Sequence, residues 1–119
     1  MHNFKHLKVW QKSVDFAVKI YQTTADFPQE EKFGMSSQMR RAGISIPSNI
    51  AEGSSKSSKK SFCNSLETSL GESFELETQV EICKRIGLIS ENQSLLLAED
   101  IIEIQKMITG LKSSIASPS

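Results

Sequence analysis

The chain has no apolar run near the ~18 residues that would span a membrane as a helix. Its opening, Met1-His2-Asn3-Phe4-Lys5-His6, lacks the apolar core of a secretory signal. A cytoplasmic protein with no membrane partner is therefore expected. Aromatic residues make up only 7% of the chain and prolines number three, which suits a helical bundle better than a β-sandwich. No stretch alternates polar and apolar residues as a strand would. The two cysteines, Cys63 and Cys83, fall in what reads as one helix. At 1.5 Å per residue they stand roughly 30 Å apart, beyond the reach of a disulfide, so both are expected as free thiols. Neither has a Cys or His neighbour at metal-ligand spacing, and His2 and His6 have no partner. A phosphate loop, a CxxC pair and a Ser/His/acid set are all missing. So are the Glu-x-x-His pairs that build di-metal sites in bundles. The residues thus offer no catalytic group, no metal site and no cofactor site, and a non-enzymatic protein is expected.

Net charge is missing too, but its absence hides an asymmetry. Residues 1–60 hold ten Lys and Arg against five acids, a balance of +5, and residues 61–119 hold four against nine, a balance of −5. Such a chain can pair its halves within the fold or between copies of itself. A strong polyanion binder would carry a large positive excess instead.

What the sequence does have is helical periodicity over a length of 119 residues, enough for one core. The organising stretch is a helix from about 34 to 52. Met35, Met39, Ala42, Ile46 and Ile50 form its apolar stripe, and Gln38, Arg41, Ser45, Asn49 and Glu52 form a polar stripe at the same pitch. Pro47 removes a backbone donor and crowds the carbonyl of Gly43, so a kink is expected there, the alternative being two separate helices. Gly53 is expected to end the helix in a left-handed conformation.

A first helix over about 7–25 carries Leu7, Trp10, Val14, Ala17, Ile20, Tyr21 and Thr24 on its expected inner face. Phe27-Pro28 ends it. Residues 54–60 are a serine and lysine turn, with Ser57 or Ser58 capping a third helix over about 58–86. Its expected inner face is Phe62, Leu66, Ser69, Leu70, Ser73, Leu76, Val80 and Cys83, and the small residues Ser69, Gly71 and Ser73 would allow close helix approach. Gly87 closes it, and Ser90-Glu91-Asn92-Gln93 reads as a capping box opening a fourth helix over about 91–113. Leu95, Ala98, Ile101, Ile102, Gln105, Ile108, Leu111 and Ile115 give that helix its expected stripe, with a frayed tail from Ser113 to Ser119. Four amphipathic helices with short connections predict an all-α, antiparallel up-down-up-down four-helix bundle, a single domain over residues 1–119.

Two residue sets could carry function. Arg41, Ser45, Asn49, Glu52 and Glu75 read as a partly buried polar network, with Arg41 meeting Glu75 or Glu52 and Asn49 serving backbone groups near Pro47. Arg40, Arg41, Lys56, Lys59 and Lys60 are the candidate nucleic-acid contacts, set against a purely structural role for Arg41 and a solvated loop for the lysines.

The run Gln38-Met39-Arg40-Arg41-Ala42, followed by Ser45-Ile46-Pro47-Ser48-Asn49-Ile50-Ala51-Glu52-Gly53, closely resembles the four-helix-bundle family encoded by intervening sequences in 23S ribosomal RNA genes. The opening Phe4-x-x-Leu7-x-Val9-Trp10-Gln11-Lys12 is similar to that family's start, and Phe27-Pro28-x-x-Glu31-x-Phe33-Gly34-Met35 to its first connection. Gly71-Glu72-Ser73-Phe74-Glu75-Leu76-Glu77-Thr78-Gln79 resembles its third-helix motif, with Glu72 standing between the usual Gly-Ser pair. The resemblance implies an antiparallel bundle and a ring of five protomers. It also points to a related accessory protein of diversity-generating retroelements, a pentamer that associates with a reverse transcriptase and nucleic acid. Two readings follow. One is a ribonucleoprotein accessory module that binds RNA or DNA through the basic half. The other is a protein–protein scaffold, favoured by the neutral charge, the acidic second half and aromatics that mostly fall on core stripes.

Overall fold

The computed structural model describes residues 3–116, and His2 and the last three residues of the expected frayed tail lie outside them. A 3-10 turn at Phe4–His6 leads into α1 (Lys8–Ala25), and a second at Gln29–Glu31 leads into α2 (Met35–Ser54). Then come α3 (Lys59–Arg85) and α4 (Glu91–Ala116). Consecutive helices pack side by side and α4 closes back on α1, which makes an all-α four-helix bundle measuring 49 × 23 × 20 Å.

Local chemistry sets the helix ends. The Ser58 hydroxyl accepts from Ser61 N at 3.1 Å and caps α3. Gly87, at φ 82°, ends α3 with the Leu88 N–H donating to Cys83 O and the Gly87 N–H to Lys84 O. This paired closure satisfies carbonyls the last turn would otherwise leave open. Ser90 and Gln93 exchange reciprocal bonds, Ser90 N to Gln93 Oε1 at 2.9 Å and Gln93 N to Ser90 Oγ at 3.0 Å, which fixes the start of α4.

One helix, not two, passes through Pro47. Gly53 does not end it: the residue is helical, α2 continues to Ser54, and the glycine serves a different purpose. A Cβ on Gly53 would lie 2.6 Å from Ser65 Cβ and 3.0 Å from Phe62 Cδ1, so α2 and α3 meet there at backbone range. Ser69 and Ser73 are buried, and Ser69 Oγ donates across the same seam to Ile46 O at 2.9 Å. Gly71 faces outward, with nothing within 4 Å of where a Cβ would stand, so it takes no part in the close approach expected of it.

One contiguous core joins Val9, Phe16 and Ile20 of α1 with Met39, Ala42, Ile46 and Ile50 of α2. Phe62, Leu66, Leu76, Val80 and Cys83 of α3, Ile89 of the α3–α4 connection, and Leu97, Ile101, Ile104 and Ile108 of α4 complete it. The inner faces of α1 and α4 include the expected Ile20, Thr24, Ile101 and Ile108 but otherwise differ from expectation. In α1 the buried line is Val9, Ser13, Phe16, Ile20 and Thr24, leaving Trp10, Val14 and Ala17 half-buried and Tyr21 exposed. In α4 it is Ser94, Leu97, Ile101, Ile104 and Ile108, leaving Leu95 and Ile102 exposed. Ser13 and Thr24 sit in the apolar line at little cost because each hydroxyl donates to a carbonyl four residues back, Val9 O and Ile20 O.

Candidate functional site

The polar stripe of α2 lies along its outer side toward α3. Arg41 donates to Glu75 through Nη2 and to Glu72 through Nη1, the latter at 3.2 Å. The Arg41 guanidinium is held above its ordinary range chiefly by these hydrogen bonds to Glu75 and Glu72. The set is only partly buried, with 46% of the Arg41 side chain and 19% of the Glu72 side chain exposed. It therefore falls in the range of roughly 0–1 kcal/mol for surface pairs rather than the several kcal/mol of a buried one. Glu52 turns away from Arg41 and pairs with Lys56 at 3.6 Å. Asn49 Nδ2 donates to Ser45 O at 2.8 Å, binding the helix back on itself one turn around Pro47.

Arg40 occupies the other side of α2. Its Nε donates to Thr24 Oγ1 at 2.8 Å, its Nη2 to Tyr21 O at 3.3 Å, and its Cζ lies 4.4 Å from the centre of the Tyr21 ring. It thereby ties the C-terminal turn of α1 to α2 through neutral groups. The five candidate cations do not form one patch. Lys56, Lys59 and Lys60 sit in and after the α2–α3 turn, whereas Arg40 and Arg41 lie about fifteen residues up α2, roughly 22 Å away along its axis. Lys59 and Lys60 are exposed, with no carboxylate at ion-pair distance among the described residues.

The charge asymmetry of the sequence is partly used up inside the fold. Lys12 and Lys19 of α1 bridge Asp100 of α4 at 3.4 and 2.7 Å, Lys12 also meets Glu103 at 3.2 Å, and Arg41 joins the acids of α3. Burial pushes the Asp100 carboxyl up, but the hydrogen bond and charge of Lys19, with Lys12 behind it, outweigh that and hold it below its ordinary value.

Sequence reasoning missed three residues beside Arg40. Lys32, Phe33 and Tyr21 line a surface pocket of about 540 Å³ where α1, its connection and the first turns of α2 meet. Phe33 is 88% exposed and Tyr21 is also open to solvent, so these two aromatics do not belong to the core. The available signal was an aromatic between a lysine and a glycine in a connection, with no apolar partner at helical spacing. Elsewhere two apolar strips reach the surface. One is the groove between α1 and α2, lined by Val14, Ala17, Val18, Ile44, Pro47 and Ala51. The other is Phe74 and Ile82 on α3 beside Leu95 and Ile102 on α4, edged by a groove that also carries Glu77, Glu81, Lys84 and Arg85. Among the described residues no group of three or more His, Cys, Asp or Glu could hold a metal ion. Among them, too, no helix is long and apolar enough to cross a membrane.

Fold and site together define a small four-helix-bundle protein whose polar chemistry is arranged on its surface. The sequence pattern of the 23S rRNA-intervening sequence protein family matches residues 5–110, and the chain belongs to that family. A crystal structure of a protein of unknown function from the S23 ribosomal protein family of Bacteroides thetaiotaomicron is similar, with 33% identity and a TM-score of 0.79. The match covers 87% of this chain and 97% of that one. No curated protein matches the chain.

Proposed function

We propose that the protein is a non-enzymatic, cytoplasmic subunit of a homo-oligomeric ring, expected to hold five copies, that acts as a nucleic-acid or ribonucleoprotein accessory module. The observation that carries the assembly is the pair of unlike apolar strips. In a bundle ordered α1-α2-α3-α4, the α1–α2 groove and the α3–α4 strip lie on opposite sides. Unlike surfaces on opposite sides favour head-to-tail contact, which closes into a ring when the rotation allows. The ring size rests on the family resemblance alone. The nucleic-acid role is supported by the family resemblance to the retroelement accessory protein and by the cations Arg40, Lys59 and Lys60, which no carboxylate pairs with among the described residues. Repetition around a ring makes even a modest patch multivalent.

Light-scattering mass, with and without a mixed RNA pool across a salt series, tests this. A pentamer that gains RNA mass in dilute salt and sheds it as salt rises is expected. A pentamer that ignores RNA throughout shifts the reading to a protein–protein scaffold. A monomer overturns the assembly.

A further inference from the structure

Charge is balanced in two of the surface grooves. Between α1 and α4, Lys8, Lys12 and Lys19 face Asp15, Asp100 and Glu103. Between α3 and α4, Lys84 and Arg85 face Glu77 and Glu81. The pocket at the α1–α2 corner breaks this pattern: Lys32, Arg40 and Arg41 stand in its wall with no carboxylate among them. Arg41 is committed to Glu72 and Glu75, but Lys32 and Arg40 have no ion-pair partner among the described residues. Glu31, whose carboxylate lies 3.7 Å from where a Cβ on Gly34 would stand, is outside the wall.

The same pocket holds the chain's most exposed aromatic. A phenylalanine left 88% open to water gains nothing from folding, and a lysine ammonium lies 5.5 Å from its ring centre. Tyr21, with the Arg40 guanidinium 4.4 Å from its ring centre, also lines the pocket, where it borders the α1–α2 groove. Ser37, exposed, and Ser36, buried, add hydroxyl groups to its lining. Unneutralised cations beside an open aromatic face are what a phosphate joined to a planar ring requires, because stacking and charge neutralisation then act on one ligand.

We propose that this corner pocket takes one nucleotide of a single-stranded nucleic acid, its base against Phe33 and its phosphate among Lys32, Arg40 and Ser37. The proposal rests on the nucleic-acid reading above and specifies where that contact is made. It makes the corner pocket, rather than the Lys56–Lys60 turn, the site that grips a base.

The test is fluorescence anisotropy of a short fluorescein-labelled oligouridylate with the full chain, over a salt series. Phe33→Ala should fold normally, since the ring is exposed. It should weaken binding roughly 5- to 150-fold, the range for loss of one stacked base, and leave the salt slope unchanged. Lys32→Gln should instead lower the slope of log affinity against log salt by about 0.7. Joint Lys59→Gln and Lys60→Gln substitution should leave the Phe33 effect intact. Should Phe33→Ala bind as tightly as the unaltered chain while the turn variant loses binding, the pocket is wrong and the nucleic-acid reading stands. Should the unaltered chain ignore the oligonucleotide, both fall. A changed light-scattering mass for Phe33→Ala would make the ring a contact between copies and overturn the pocket.

Discussion

Gly53 of α2 faces Ser65 of α3 so closely that a methyl group on the glycine would stand 2.6 Å from the serine Cβ. Alanine is the better helix former by about 1 kcal/mol, yet here it forces two backbones apart. Gly53→Ala is expected to destabilise the bundle by about 1–3 kcal/mol, the usual range for overpacking, lowering Tm by several degrees. Gly71→Ala and Gly110→Ala place the same methyl in open space within helices and should each stabilise by roughly 0.5–1 kcal/mol. Thermal melts of the three variants check the sign reversal.

Arg40 bridges α1 and α2 through Thr24 and Tyr21. Arg40→Leu should cost about 1–3 kcal/mol, as for hydrogen bonds made by a charged group. Arg40→Lys should recover little, because an ammonium cannot make two directed bonds and lie over the Tyr21 ring at once. Urea titrations of both variants measure this, with an unchanged slope indicating an unchanged fold.

Asp100 provides a pH dependence. Its folded carboxyl titrates below the ordinary 3.8, so the stabilisation it gives is fully present above that value and is lost as pH falls through the lower folded one. Because Lys19 is largely exposed, the contribution is expected to be at most about 1 kcal/mol. Asp100→Asn should lower stability at neutral pH and flatten the acid limb of a stability-against-pH curve. A variant curve parallel to that of the unaltered chain would contradict this assignment.

The two thiols should differ in reactivity. Cys83 is fully buried beside Met39 Sδ, and burial, with a smaller contribution from the charge of Glu31, pushes its thiol up to about 11. Cys63 is half-buried near the α3–α4 surface, close to Lys112 O. A thiol reagent at neutral pH should modify Cys63 in the folded protein and Cys83 only after unfolding.

The bundle and its helix signals were legible because the signals are local: Ser58, Gly87 and the Ser90/Gln93 box act within a few residues of where they stand. The faces of α1 and α4 were harder to read because both helices are apolar round more than one stripe. Trp10, Val14, Ala17 and Tyr21 compete with Val9, Phe16 and Ile20, and Leu95 and Ile102 compete with Leu97 and Ile104. Periodicity finds both stripes but cannot say which one meets the chain's own core. Ser13 hid the true stripe further, since a serine satisfied by its own helix looks polar in sequence and packs like an apolar residue. The corner pocket was illegible for another reason: Lys32 and Phe33 meet Tyr21 and Arg40 only because two helices turn back on each other. Likewise, the Gly53 contact depends on a partner helix that no local pattern reveals.

The α2–α3 seam, with Gly53 at one end and the Ser69–Ile46 bond further along, is also the most extensive helix contact in the molecule. Only residues 55–58 connect its two helices. A large buried surface closed by a short loop forms early, because little chain entropy is lost before the contacts begin to compensate. This hairpin is therefore the expected nucleus of folding, with α1 and α4 docking afterwards. Truncations at Ile46, Ile50, Phe62 and Leu66 should slow folding, whereas those at Phe16 and Ile104 should mainly speed unfolding. During synthesis the chain would then stay unsettled until α3 leaves the ribosome, and α1, although made first, would wait for it.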